Sequence, residues 1–428
     1  MSASVKQIPT SDLAVGMYVS RLDRPWLETP FLFQGFTIKS PEEIQQLQRC
    51  CEYVYVDAPD RGEQTSARGR AAPPNAPRSW RSRLSRLFPR LGAVLEKAEP
   101  GEAVPGEFYN DTANLAAELP KAKEIHSDAS ALLIETMEAL RKGGKPDTQA
   151  LESAVSPMIE SLMRNRDAMT WLSRIKRTDD YTYGHSVSCS VYAIAFGRHL
   201  GLSKDDLKVL GLGGMLLDVG KTQIPKELLA KPDSLSASEM ELMRRHVQFG
   251  EEILKDVSSI NRQVVEMVRS HHERYDGSGY PEELKGPDIP VFARIAGIID
   301  FFDAMTTPRP YAKPVSIYDA MRELHSRQDT EFQSEMVDHF VKAVGMFPNG
   351  ALVELSSGEV GIVVEQNRVR RLRPKIMVIL GADKQPLKDF TTAELRELPS
   401  EMGDPGAVWI DRGLEHGAYG IDPAEYFL

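Results

Sequence analysis

The residues best suited to chemistry in this 428-residue chain are histidines and carboxylates. The run His271-His272-Glu273-Arg274-Tyr275-Asp276-Gly277-Ser278-Gly279-Tyr280-Pro281 places two adjacent imidazoles and a carboxylate at the end of an apolar helical stretch, with a turn-forming loop directly after them. Imidazole nitrogens bind divalent metals, and a loop rich in glycine and proline beside them can close on a ligand. The combination predicts a metallohydrolase site; for the histidine pair alone, a solvated helix end is the plain alternative.

Four further positions strengthen the metal reading. His185, in Asp179-Asp180-Tyr181-Thr182-Tyr183-Gly184-His185-Ser186, opens a helix running through Val191 and Ile194. Asp218 closes the apolar stretch from Leu210 to Leu217 and precedes Val219-Gly220-Lys221, a helix stop with a cation just beyond it. A carboxylate after so apolar a run is costly to bury unless it is paired or metal-bound. His246 follows Glu241-Leu242-Met243-Arg244-Arg245 and by itself reads as a mid-helix surface residue. Asp300 lies in Ile295-Ala296-Gly297-Ile298-Ile299-Asp300-Phe301-Phe302-Asp303-Ala304-Met305, a helix otherwise apolar all round. Without a partner that carboxylate would be driven to its neutral form.

The elements that must position these groups follow from periodicity. Residues 1–60 carry short β-type runs, Met17 to Val19, Phe31 to Ile38 and Tyr53 to Val56, and a helix after Pro41, a small α+β module. Residues 61–100 have linker composition: from Gln64 to Leu95 there is no acidic residue, and arginines alternate with proline, serine and glycine. Trp80, Leu84, Leu87 and Phe88 have helical spacing, but Pro89 cuts the helix short, so a plain linker is favoured over membrane contact. Residues 101–174 step helically through Leu132, Leu133, Met137 and Leu140, then Met158, Leu162, Met169 and Leu172, and are expected to connect or to dimerise. Residues 175–345 are helix-rich and hold every group named above. In residues 346–428 a β pattern returns, at Ala351 to Leu355, Val360 to Val364 and Lys375 to Leu380. The fold class expected is mainly α, a helical bundle with a small α+β domain before it and a small β unit after it.

The bulk properties agree. With 41% hydrophobic residues the chain can fill several cores, and a formal charge of −10 argues against broad affinity for nucleic acid polymers. Cys50, Cys51 and Cys189 give no disulfide framework, and neither a leader-type segment nor an eighteen-residue apolar run is present, so the expectation is a cytoplasmic protein.

Taken together, His185, the Asp218-Val219-Gly220-Lys221 turn, His246, His271-His272-Glu273, Gly279-Tyr280-Pro281, Asp300, Asp303-Ala304-Met305 and Arg309-Pro310-Tyr311 resemble the HD-GYP family of metal-dependent phosphohydrolases. The resemblance covers roughly residues 175–345, and residues 1–60 are similar to the small domain that often precedes it in bacteria. It implies an all-helical HD-type domain and hydrolysis of cyclic di-GMP with two or three iron or manganese ions.

Carried over position by position, it implies that Asp218 bridges two metals, with His185 and Asp300 on the first and His246, His271 and His272 on the second. It implies that Lys221 neutralises a phosphate oxygen, that Arg309 holds another, and that Tyr280 lines the ligand pocket. Glu273, Gly279 and Pro281 would shape the loop, and Asp303 is expected to accept hydrogen bonds from loop backbone rather than to bind metal.

The departures matter as much. The family places a histidine directly before the aspartate at 218; here the residue is Leu217, which has no donor atom. Tyr181 stands where three-metal members carry glutamate, so two metals are expected, and Ala312 stands where a basic residue is common, with Lys313 one position on. Two readings stay open: a phosphodiesterase attenuated at its first metal, yielding pGpG or GMP slowly, and a catalytically inactive protein that binds cyclic di-GMP or a diguanylate cyclase (GGDEF) partner.

Overall fold

The computed structural model describes residues 5–23, 36–38, 40–57, 109–175, 181–257, 259–308, 313–367, 371–395, 397–398 and 407–426. The basic segment 61–100 and Arg309 lie outside them.

Strands β1 (Val5–Pro9), β2 (Tyr18–Leu22), β3 (Phe36–Thr37) and β4 (Tyr53–Asp57) form an antiparallel sheet in the order β1-β4-β2-β3. Helix α1 (Pro41–Cys50) begins where Ser40 accepts from the Glu43 amide and Pro41 supplies a preset φ. Its Leu47 packs with Val19, Ile38, Val54 and Val56 in a separate small core.

Helices α2 (Leu115–Arg141), α3 (Thr148–Arg164) and α4 (Ala168–Ile175) begin the helical body. Asn114 and Asp147 cap the first two, each accepting a backbone N–H at 2.9 Å. The apolar steps read from the sequence, Leu133, Met137 and Leu140, then Met158, Leu162, Met169 and Leu172, are buried in one cluster with the helices that follow. The expected connector is therefore part of the body, its apolar faces covered by the chain itself. Each fully buried Leu, Phe or Met side chain contributes about 1.5–3 kcal/mol before chain entropy is offset.

At the centre runs α5 (Tyr181–His199), whose Val187, Val191, Ile194 and Phe196 are fully buried. It packs along α6 (Lys204–Leu216), where Ser190 Oγ donates to the Gly211 carbonyl at 2.7 Å. Then come α7 (Lys226–Leu229), α8 (Ala237–Arg244), α9 (His246–Lys255), α10 (Arg262–Ser270), α11 (Val291–Thr306), α12 (Ile317–Ser326) and α13 (Ser334–Val344). None of the described helices is long and apolar enough to cross a membrane.

Five antiparallel strands close the chain: β5 (Leu352–Leu355), β6 (Val360–Glu365), β7 (Lys375–Leu380), β8 (Pro386–Glu394) and β9 (Ile410–Leu414), in the order β8-β7-β6-β5-β9. The two-residue strand period divides its side chains between two cores. Val353, Leu355, Val363, Ile376 and Val378 face the helical body, whereas Leu352, Val360 and Ile362 join Ile379, Leu380 and Ile421 on the other side. Three of these strands match the sequence pattern; β8, largely exposed, has no apolar alternation to betray it.

Candidate metal centre

The histidines and aspartates converge from five elements. His185 comes from the first turns of α5, Asp218 from the second residue after the end of α6, and His246 from the start of α9. His271 and His272 follow α10 directly, and Asp300 projects from α11. His246 is not the mid-helix surface residue that its neighbours suggest: the helix breaks at Arg245, a new one starts, and the imidazole is 2% exposed.

Hydrogen bonds fix which nitrogen of each imidazole looks inward. His246 Nδ1 lies 2.8 Å from the Met243 carbonyl and His271 Nδ1 2.9 Å from that of Val268. A carbonyl only accepts, so both Nδ1 atoms carry the proton. Burial pushes the His246 pKa down to about 4 and lowers that of His271, leaving both rings neutral at pH 7. Each Nε2 is then a lone pair, and the two Nε2 atoms stand 3.5 Å apart. Asp218 Oδ1 is a third acceptor, 3.5 Å from His246 Nε2. Acceptors facing one another in a dry interior repel unless a cation lies between them, and that is the test these residues meet as a metal site. His272, its pKa pulled well below the ordinary value chiefly by burial, completes the triad, whose donor atoms lie within 4.8 Å of one another.

Asp218 also faces the other way. Its Oδ2 is 3.5 Å from His185 Nε2, which lies 3.1 Å from Asp300 Oδ1. His272 Nδ1 is 3.7 Å from Asp300 Oδ2, so the two halves are joined through both carboxylates. Burial pushes the Asp218 and Asp300 pKa values up, but their neighbours outweigh it and hold both ionised: the Lys221 charge foremost at Asp218, and the contact with His185 foremost at Asp300.

Lys221 Nζ sits 2.6 Å from Asp218 Oδ2, held by the short turn Val219–Gln223. That turn presses on α9 so closely that a Cβ on Gly220 would lie 1.8 Å from the His246 carbonyl oxygen. Tyr280 stacks on His272, ring centroids 4.8 Å apart, and the bond it makes to Pro281 is cis. Glu273 accepts from the Glu282 and Leu284 amides at 2.7 and 3.0 Å, and burial raises its pKa. Gly279 admits no side chain, since a Cβ there would be 2.3 Å from the Arg274 nitrogen. Lys313 is exposed, and Arg309 is outside the described residues. Asp303 departs from expectation: its Oδ2 accepts from His185 Nδ1 at 2.7 Å and from Thr307 Oγ1 at 3.3 Å, two side chains rather than loop backbone.

Two neighbours were not foreseen. Cys189 Sγ lies 3.6 Å from His185 Nε2, and the four-residue spacing from His185 on one helix was the available signal. Arg244 places its guanidinium 5.0 Å from the Tyr280 ring centroid, a contact between segments that no local pattern announces. Leu217 is 1% exposed and belongs to the main apolar core.

The HD domain profile matches residues 167–336, and that of a domain of unknown function, DUF3391, matches residues 5–151. A cyclic di-GMP phosphodiesterase of Pseudomonas aeruginosa is 33% identical over 424 residues, 98% of this chain and 93% of the relative. A cyclic di-GMP phosphodiesterase response regulator of Xanthomonas campestris is 34% identical over 44% of this chain and 50% of its own. A 3'3'-cGAMP-specific phosphodiesterase of Vibrio cholerae is 35% identical over 37% of this chain and 30% of its own.

Proposed function

This chain belongs to the HD-GYP family of HD-domain proteins, and on that premise we propose that it hydrolyses cyclic di-GMP to pGpG or GMP at the histidine–aspartate centre. The observation that carries this reading is the pair of inward lone pairs on His246 and His271 beside the two-faced carboxylate of Asp218. Two divalent ions, iron or manganese by the mixture of imidazole and carboxylate donors, would supply an activated water and a Lewis-acid hold on the phosphodiester.

The chain's own residues divide the work. Asp218 would offer an oxygen to each side, His185 and Asp300 would hold one ion, and His246, His271 and His272 would hold the other. Lys221, 21% exposed at its side chain, reaches from Asp218 to a phosphate oxygen. Tyr280, fixed by His272 and Arg244, gives a guanine base a surface to stack on, and Arg309 and Lys313 supply further charge. Glu273, Gly279 and Pro281 hold the loop in place. The lack of a disulfide framework suits the cytoplasm, where the cyclic dinucleotide would be met.

Leu217 favours a second reading, a protein that binds cyclic di-GMP or a diguanylate cyclase without turnover, because the His185 half lacks a donor there. A ligand lost from the first site should cost at least the roughly 10- to 100-fold that loss of a supporting group costs. The deciding experiment is metal analysis of anaerobically purified protein with cyclic di-GMP turnover, beside Leu217→His. Slow turnover by the parent, raised in Leu217→His, supports the attenuated enzyme. A silent parent that binds the nucleotide tightly, with only Leu217→His active, establishes the second reading.

A further inference from the structure

A cavity of about 250 Å³ lies apart from the histidine–aspartate centre, between α4, α5, the end of α11 and the loops that border the C-terminal sheet. Asp303 is part of its wall, while Asp218, Lys221, His246, His271, His272, Asp300 and Tyr280 are not. Most of the wall is apolar: Met346, Leu352 and Leu414 contribute, and Tyr318 and Phe347 lie parallel with centroids 5.3 Å apart. The cationic group is Arg174, which also lines the cavity. Its Nη2 donates to the Asn349 carbonyl at 2.9 Å, but its buried Nε–H has no hydrogen-bond partner among the described residues.

A largely apolar hollow with a few placed polar groups is the character of a small-molecule site. We propose that this cavity binds a small organic monocarboxylate, its carboxylate accepting from Arg174 Nε–H and its apolar body lying against Met346 and Leu414. Asp303 in the wall and Asp167, whose charge acts on Arg174, disfavour a doubly charged phosphate more strongly than a monocarboxylate. The volume falls just under the usual ligand range of about 300–1,000 Å³, which suits a single ring and excludes a cyclic dinucleotide with its two bases and two phosphates. An occupant would touch Asp303, the residue that holds His185 by its Nδ1–H.

The test uses the full chain in the presence of a chelator, so that its outcome is independent of hydrolysis. Para-trifluoromethylbenzoate is titrated with protein and followed by fluorine NMR. The expected result is saturable binding to the parent, weakened at least tenfold in Arg174→Met and for the uncharged methyl ester, and abolished in Leu414→Trp, which fills the cavity. Val315→Phe fills it from another wall, and circular dichroism establishes which variants fold. Absence of saturable binding to the parent, or undiminished binding to a folded cavity-filled variant, overturns the proposal; equal binding of acid and ester overturns its carboxylate part.

Discussion

His185 Nδ1 donates to Asp303 Oδ2 at 2.7 Å, and this one bond decides which face of the imidazole meets Asp218 and Asp300. Both side chains are nearly fully buried, so solvent cannot replace the bond if it is lost. Asp303 is three residues from Asp300 on α11, and His185 lies between the two carboxylates.

Removing the orienting acceptor should therefore weaken the metal half that depends on His185. Asp303→Ala is expected to lower manganese affinity about 10- to 100-fold, the usual cost of losing such a partner. Asp303→Asn, whose amide oxygen can still accept, should lose less. Calorimetric titration with Mn²⁺ gives the comparison; parent-like affinity in Asp303→Ala would show that packing alone orients His185.

Leu217 serves the core in this fold. Leu217→Ala should destabilise the chain by about 2–5 kcal/mol, as buried leucine truncations do. Metal stoichiometry should not change, because leucine offers no donor. Urea unfolding and metal analysis check the two halves, and a loss of bound metal without a loss of stability would contradict the packing role.

The close approach of Gly220 to α9 leaves no room for a methyl group. Gly220→Ala must push the Asp218–Lys221 turn away from His246, at a cost of about 1–3 kcal/mol for overpacking. Metal affinity should fall together with the melting temperature. An unchanged melting curve would mean that the turn and helix separate more easily than their contact suggests.

A second histidine pair makes stability depend on pH. His199 Nε2 and His339 Nδ1 lie 3.4 Å apart in the interior, with Arg166, Lys342 and Arg371 among the charges acting on one or both rings and Glu335 acting on His339. Burial pushes His199 down to about 3 and His339 to about 4, from 6.5 in the unfolded chain. The unfolded chain thus takes up protons that the folded chain refuses. Stability from this pair is complete above about pH 6.5 and is lost as pH falls toward 4 and 3. His339→Phe should reduce the loss between pH 7 and pH 5 by about 1–2 kcal/mol, at about 1.4 kcal/mol per pKa unit. Urea midpoints at the two values measure it, and equal drops in parent and variant would count against the pair.

Much of this molecule was legible in its sequence, for physical reasons that are local. Apolar steps of three and four residues marked the helices from Leu132 to Leu172, β-type apolar runs separated by polar turns marked β5 to β7, and chemically costly residues in apolar surroundings marked Asp218 and Asp300. What depends on chain crossing was not. Nothing near His246 says that its helix restarts there, nothing near Asp303 says that its partner is 118 residues away, and nothing in residues 101–174 says that their apolar face is covered by α5 and α6. The sequence by itself determined which groups could bind a metal, because side-chain chemistry is fixed by residue type. Only the tertiary structure decided which nitrogen of each histidine faces inward, because that rests on hydrogen bonds to particular neighbours and, for His185, on one brought in by another helix.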